Sequence, residues 1–466
     1  MNTVALISAL LLTTPAPTLM KTRVISLEHV LSYALKHNRT LRSASLSIEK
    51  ERAAVDGAKG QFDTTVSGSA SGAQISANKL PGEFMSVTRQ RAYTFEAGAQ
   101  KMLRSGGIVS ISAKVERAEQ ITELDMGSIS PGAPVQETEL KSYSSSLSVS
   151  VTHPLLRGMG LEVTQSGIRL ATLGVEVERI KRESEWQTTV RDMIIAYHNL
   201  HLLWKQYDVM REGLKVAQSQ LVQTQALVAA NRATKSDLLA AQSAVAQREV
   251  NLISARSGIL KATLQLKIHM GMNVTQGETY FRPAGIKRAP AKKYSDALIK
   301  LAVKRSLELK MTQKQLEMLE VQRKVAKNAS KPRLDLFLSA GPRGRSSHLG
   351  DSLLSMVSFD GFTVTGGLSF SFNPANTIAR ANLASINASR KIARLAKTNI
   401  GESVSMAMLI ALDSYRTALQ SVNAARLAVT LAKTHLDHEQ QKFVLGKGTN
   451  HSVLLRLEEL ERARMS

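Results

Sequence analysis

The sequence has 466 residues, 43 % hydrophobic but only 4 % aromatic, with a formal net charge of +23 and no cysteine. The missing cysteine excludes a disulfide framework, thiolate chemistry, Cys-ligated zinc and a lipid-modified N-terminal Cys. The charge would suit nucleic acid, anionic membrane or acidic ligands. However, Lys and Arg are spread along the whole chain and no nucleic-acid module is recognisable, so the charge reads as a solvated basic face. Its densest stretch, Lys287–Arg333, holds 14 Lys/Arg against 4 Asp/Glu.

The chain opens on an apolar run, Val4–Leu12, followed by small residues and prolines. This predicts a secretory signal over residues 1–20. No run of about 20 apolar residues follows, so no helical membrane span is expected.

Period-two patterning comes next. In Tyr143–Thr152 the odd positions are Tyr143, Ser145, Leu147, Val149 and Val151, and the even ones are Ser or Thr. Phe362–Phe372 alternates the same way, with Phe362, Val364, Leu368, Phe370 and Phe372 on one side. Phe62–Gly72 and Leu334–Ala340 alternate more weakly. Each segment has the length of a tilted membrane-crossing strand. Four such strands cannot close a barrel alone, and open edges are not tolerated in lipid, so copies of the chain must share one. A further hairpin is expected at Tyr93–Leu103, Ser105-Gly106-Gly107 and Ile108–Val115. The sequence leaves open whether it joins the barrel or forms an external loop.

Proline spacing marks the helices. No proline falls between Pro154 and Pro283, and none after Pro374. Because proline breaks a helix interior, both blocks are candidates for long helices. Val190, Ile194, Tyr197, Leu200, Trp204, Tyr207, Met210, Leu214, Ala217, Leu221, Thr224 and Val228 form one apolar stripe at steps of three and four. The predicted helix, Thr164–Ala230, would span roughly 100 Å. A break at Asn231–Thr234 and a returning helix, Asp237–Met270, complete an antiparallel hairpin. The second block predicts a helix over Thr377–Val444, a turn at Gly446–Thr449 and a helix from Ser452.

The chain also repeats itself. Ala34–Glu49 parallels Ala302–Glu317, Phe62-Asp63 parallels Leu334-Asp335, His153-Pro154 parallels Asn373-Pro374, and Ala230–Leu239 parallels Leu445–Leu454. This predicts two structural repeats, over 24–282 and 283–466.

Signals for chemistry are weak. His198/His201 and His435/His438 stand at i, i+3 without an obvious third ligand, so they read as surface or packing histidines. Gly446–Ser452 lacks the phosphate-loop spacing. No zinc-protease motif, nucleophile elbow or paired catalytic carboxylates occur. No catalytic residue, metal site or cofactor is expected.

The whole arrangement resembles the TolC-type outer-membrane efflux family, across nearly all of residues 26–466. The resemblance rests on SLEHVLSYALKHNRTLRSA at Ser26–Ala44, FDTTVSGSASG, RLDLFLSAG, Tyr143–Val163 and FVLGKGTNHSVLL at Phe443–Leu455. It implies a mixed α and β fold in which a trimer shares an outer-membrane β-barrel, four strands per protomer, continued by a long α-helical periplasmic tunnel. It implies passive conduction, with a periplasmic adaptor, an inner-membrane transporter and outer-membrane lipid as partners, and no nucleic acid. The tip residues meeting the adaptor would be Asn231, Thr234, Asp237, Gly446, Gly448, Thr449 and Ser452. Asp237, Ser452 and Leu455 would stand at the pore constriction. The sequence departs from the family there, because only Asp237 keeps a carboxylate at the matched positions. It also departs in its last helix, of only about 15 residues. The competing reading is a soluble basic coiled-coil scaffold or nucleic-acid-binding protein, which leaves the alternating strands unexplained.

Overall fold

A computed structural model describes residues 21–78, 85–125, 134–274, 279–285, 296–445 and 447–465. The predicted signal segment, Gly446 and part of the basic stretch lie outside the described residues. The chain divides into two compact units, each assembled from separated stretches of sequence.

The unit formed by Met1–Ser47, Ile180–Leu307 and Ile400–Ser466 is mainly helical. Strand β1 (Thr22–Ile25) pairs in parallel with β6 (Tyr280–Pro283). Helix α1 (Leu27–His37) is capped by Ser26, whose hydroxyl accepts from the His29 amide at 3.2 Å. Helix α2 (Arg39–Lys59) starts in this unit and runs out of it. The predicted long helix is α3 (Ser166–Ala229, 64 residues), and its returning partner is α4 (Lys235–Met270). Both agree with the proline-free pattern to within two residues.

The core of this unit explains the apolar stripe. Met193, Tyr197, Leu200 and Trp204 of α3 are buried with Ile259, Leu266 and Met270 of α4, and with Val30, Tyr280 and Phe281. Each fully buried aliphatic side chain contributes about 1.5–3 kcal/mol. The polar atoms of the aromatics are satisfied by the small sheet. Tyr197 donates to the carbonyls of Ile25 and Ala284, and the Trp204 indole donates to that of Phe281 at 2.7 Å. Helix α4 ends at Gly271, whose φ of 75° favours glycine. A Cβ there would also overlap the His37 carbonyl, while Asn38 donates to the His269 carbonyl at 2.7 Å.

The unit formed by Ile48–Arg179 and Glu308–Asn399 holds a six-stranded sheet. Its strands are β2 (Thr64–Ser76), β3 (Met85–Met102), β4 (Ile108–Asp125), β5 (Val135–Pro154), β7 (Arg333–Ser346) and β8 (Phe362–Ser371), in that order and antiparallel throughout. Four strands were expected. The other two are the hairpin β3–β4, whose place the sequence left open and which pairs between β2 and β5. The strands also outrun their alternating cores, β5 by eight residues at its start, because ladder pairing continues where the sequence pattern turns polar.

In chain order, α5 (Asp296–Arg305) of the helical unit precedes α6 (Leu307–Ala329), α7 (Leu349–Val357) joins β7 to β8, and α8 (Thr377–Val444) follows β8. In the sheet unit α6 is tied to α3 by Lys314–Glu176 at 2.8 Å and to α8 by Arg390–Glu320 at 2.8 Å. The last helix is α9 (Asn450–Met465), in the helical unit.

Candidate channel wall and helix-tip turns

The sheet register sorts its side chains into two faces. Across all six strands, Val66, Ala99, Ile111, Val149, Ala340 and Val364 lie opposite one another in one row. The adjacent row, on the other face, is Thr65, Gln100, Ser110, Ser150, Ser339 and Thr365. Its hydroxyls bond across strands, Ser110 to Ser150 at 2.6 Å, and Ser112 to Ser148 one row on at 2.9 Å. Glu96 stands opposite Lys114 on this polar face.

The apolar face is bounded at both ends. Towards the loop ends of the strands, Arg117 lies between Tyr93 and Tyr143, 6.0 and 5.8 Å from their ring centres. Arg117 also pairs with Glu119, which is 3.9 Å from Arg91. At the helix end, Lys101 closes the face beside Val109. Between these limits the apolar side chains are exposed, Val66 at 77 % and Phe95 at 61 %. Helix α7 lies over this face: Ser145 donates to the Ser352 carbonyl at 2.6 Å, and Leu354 and Val357 point outward.

The helical unit contains the two predicted tip turns, and they repeat one geometry. Helix α3 closes with Asn231 N–H on the Val228 carbonyl and Arg232 N–H on that of Leu227. Asn231 sits at φ 54°, which Asn tolerates better than most residues. Helix α8 closes with the corresponding bond from Lys447 to Lys442, at 2.8 Å.

Each turn then ends in a threonine cap. Thr234 and Asp237 form a capping box: the Asp237 amide donates to Thr234 Oγ1 at 3.1 Å, and Asp237 Oδ2 accepts from the Thr234 amide and hydroxyl at 3.0 and 2.6 Å. These bonds hold the Asp237 carboxyl below its usual range. At the second turn the Ser452 amide donates to Thr449 Oγ1 at 3.2 Å, so Ser452 occupies the place of Asp237. Gly448 packs tightly, since a Cβ there would come within 3.0 Å of the Phe443 amide. Leu455 is exposed.

Two features of this unit escaped the sequence. Glu439, on the last turns of α8, has its carboxyl held low, chiefly by the Ser452 hydroxyl and then by Lys442. Thus a carboxylate does stand beside the second turn, supplied by the preceding helix. Helix α9 is also anchored by polar groups: Gln220 bonds to Asn450 at 2.7 Å, and Arg248 lies 3.4 Å from Glu461. Burial pushes the Glu461 carboxyl up, against the pull of Arg248. A paired polar residue under an apolar stripe leaves no periodic signal.

Among the described residues, no three His, Asp or Glu converge to hold a metal, and no helix is long and apolar enough to cross a membrane. His435 and His438 are exposed on α8.

No family model matches the chain, and no curated protein matches it by sequence. Solved structures do match. The outer-membrane protein VceC from Vibrio cholerae superposes with a TM-score of 0.66 at 13 % identity, covering 94 % of this chain and 90 % of that one. The outer-membrane channel OprN gives 0.68 at 14 %, covering 94 % and 85 %. The CmeC outer-membrane channel of Campylobacter jejuni gives 0.65 at 13 %, covering 94 % and 81 %. The chain therefore has the fold of the TolC-type outer-membrane channels.

Proposed function

We propose that this chain is one protomer of an outer-membrane exit duct for efflux, and that it conducts passively. The observation that carries the reading is the pair of adjacent rows, one wholly apolar and one wholly polar, across a six-stranded sheet. A wall with lipid on one side and water on the other needs that division. A soluble basic scaffold does not need an apolar sheet face with Val66, Phe95 and Ile111 exposed beyond the part that α7 covers.

The long helix α8 supports assembly from several copies. Ile378, Ile392, Leu395, Met406 and Ile410 are all more than half exposed on the isolated chain. Such residues on so long a helix suit packing against neighbouring protomers. We take the unit to be a trimer of two-repeat protomers, with the turns at Asn231–Thr234 and Gly446–Thr449 meeting a periplasmic adaptor, and through it an inner-membrane transporter.

Fractionation and mass measurement in detergent test the reading. The protein should partition with the outer membrane, require detergent, and run as three copies. A chain soluble without detergent, or a stable membrane-inserted monomer, would sink it. Gly448→Val tests the tip. It should impair export and adaptor capture while leaving the amount in the membrane unchanged, because the clash is confined to the turn.

A further inference from the structure

The hairpin β3–β4 adds something to this reading. We infer that it is a membrane-crossing part of the barrel wall, so that each chain brings six spanning strands. The inference rests on the duct reading but is separable from it.

Among the described residues β2 is bonded to β3 alone, and β5 reaches β2 only through β4 and β3. Adjacent strands lie about 4.8 Å apart, so removing the hairpin from the wall leaves β2 and β5 separated by roughly 14 Å. Their unpaired edges would then face lipid, where exposed amides and carbonyls are not tolerated. Any closed wall that contains β2 and β5 must contain β3 and β4.

The hairpin's turn is fixed to the helix end of the sheet. The Leu103 amide closes the turn on the Gly107 carbonyl at 2.7 Å, and Gly106 adopts φ 103°. Thr164 Oγ1, at the start of the helical segment, donates to the Arg104 carbonyl at 2.6 Å. The turn therefore sits at the helix end of the sheet, while Met85 and Asp125 lie at the opposite end. The chain crosses the full height of the sheet inward on β3 and outward again on β4.

The hairpin's side chains sort by face as those of the other strands do. Phe95, Ala97 and Ala99 of β3, and Val109, Ile111, Ala113 and Val115 of β4, continue the apolar face without a break. From Val109 to Val115 this band rises about 20 Å along the strand. It ends at Lys101 on one side and at the Tyr93–Arg117–Tyr143 cluster on the other, an aromatic and charged border of the kind found where a barrel meets the membrane surface. The hairpin's other face carries Glu96, Ser112, Lys114 and Glu116, which suit a watery lumen.

Closure then joins β8 of one copy to β2 of the next, the two free edges of the sheet. Three copies give 18 strands (three times six). Barrel diameter grows roughly linearly with strand number, so this wall is about half again as wide as one built from four strands per chain.

The chain has no cysteine, so single-cysteine variants of the full-length protein in outer-membrane vesicles test this directly. Ser112→Cys and Ala113→Cys probe the hairpin, both mild changes of volume. Ser150→Cys and Val149→Cys probe β5 as reference. A charged, membrane-impermeant maleimide should label Ser112→Cys and Ser150→Cys at least about tenfold faster than Ala113→Cys and Val149→Cys, since a thiol in hydrocarbon stays protonated and unreached. A fluorophore attached at position 113 or 149 under denaturing conditions and refolded should be quenched by spin-labelled acyl chains. Alternation on β5 with equal labelling of both hairpin positions would place the hairpin outside the wall and overturn the inference while leaving the duct standing. Loss of alternation on both strands would overturn the duct as well.

Discussion

Lysine placed at Val149 tests the two-faced sheet with a single charge. Val149 sits in the middle of the apolar row, flanked by Ile111 and Ala340 on the neighbouring strands. A lysine on the lipid face near the midplane of a barrel costs about 2–4 kcal/mol. Three copies in one assembly bring roughly 6–12 kcal/mol if the sites act independently. The neighbouring residue provides the control. Ser150→Lys moves the charge to the polar face, where water solvates it, and loses mainly the 2.6 Å contact with Ser110, worth about 1 kcal/mol. Val149→Lys should therefore deplete the protein from the outer-membrane fraction and lower the temperature at which the assembly dissociates in detergent, with Ser150→Lys close to wild type. If Ser150→Lys were as harmful as Val149→Lys, the faces would be assigned wrongly or the sheet would not face lipid.

The tip and the helical core give further expectations. Asp237→Asn should cost about 1 kcal/mol at the first turn, the ordinary value of a helix cap, read as faster proteolysis there. Because the folded carboxyl is held low, its contribution is present above the unfolded carboxylate range and lost as pH falls through the folded value, so the deficit should vanish in acid. If Asp237→Asn instead shifts the reversal potential of single channels with stability unchanged, Asp237 is a pore residue and not a cap. Arg248→Ala should cost about 3 kcal/mol by leaving Glu461 unpaired in a half-buried site. Glu461 already has a raised pKa, so its protonated form suits the fold. The variant should be weakest at neutral pH and recover on acidification, and equal unfolding midpoints at both pH values would refute this. Trp204→Phe should cost about 1–3 kcal/mol through the unsatisfied Phe281 carbonyl, measured as a lowered unfolding midpoint.

The helices were legible because their signals are local and long. Twelve stripe residues at steps of three and four fix α3, and the absence of proline fixes its extent. The strand cores were legible where Ser alternates with Val or Leu, as in β5 and β8. Strand ends were not: Val135–Ser142 reads VQETELKS, polar on both sides, and is held in β5 by its ladder to β4. The hairpin was visible as a pattern, but its place in the sheet depends on pairing partners far apart in sequence, which periodicity cannot name. The β1–β6 pair was missed because four residues are too few to alternate. Trp204 and Tyr207 sat in the stripe as generic core, and only the structure shows Trp204 donating to β6. The repeated turn could be read, but its threonine caps at 234 and 449 come from the structure, and Glu439 could not be read because it joins Ser452 across a helical turn and a loop.

That last residue changes how the tips compare. The two turns share a helix ending, a threonine cap and a third-position partner, and the matched residues are Asp237 and Ser452. Read as sequence alone, this is the loss of one acidic position. In the structure the acidic group is displaced. The first turn's carboxylate serves its own cap, while at the second turn the serine hydroxyl fills the corresponding place and bonds in turn to Glu439, 13 residues earlier in the chain. Both carboxyls are held low, so both stay charged through the physiological range. The second is also drawn to Lys442, 3.4 Å away, and to Arg456. A negative charge thus remains beside each tip, but the one at the second turn is partly neutralised by its neighbours. In the proposed ring of protomers the two turns would carry unequal fields, so a partner that reads charge would distinguish one from the other even though the backbone turns are alike.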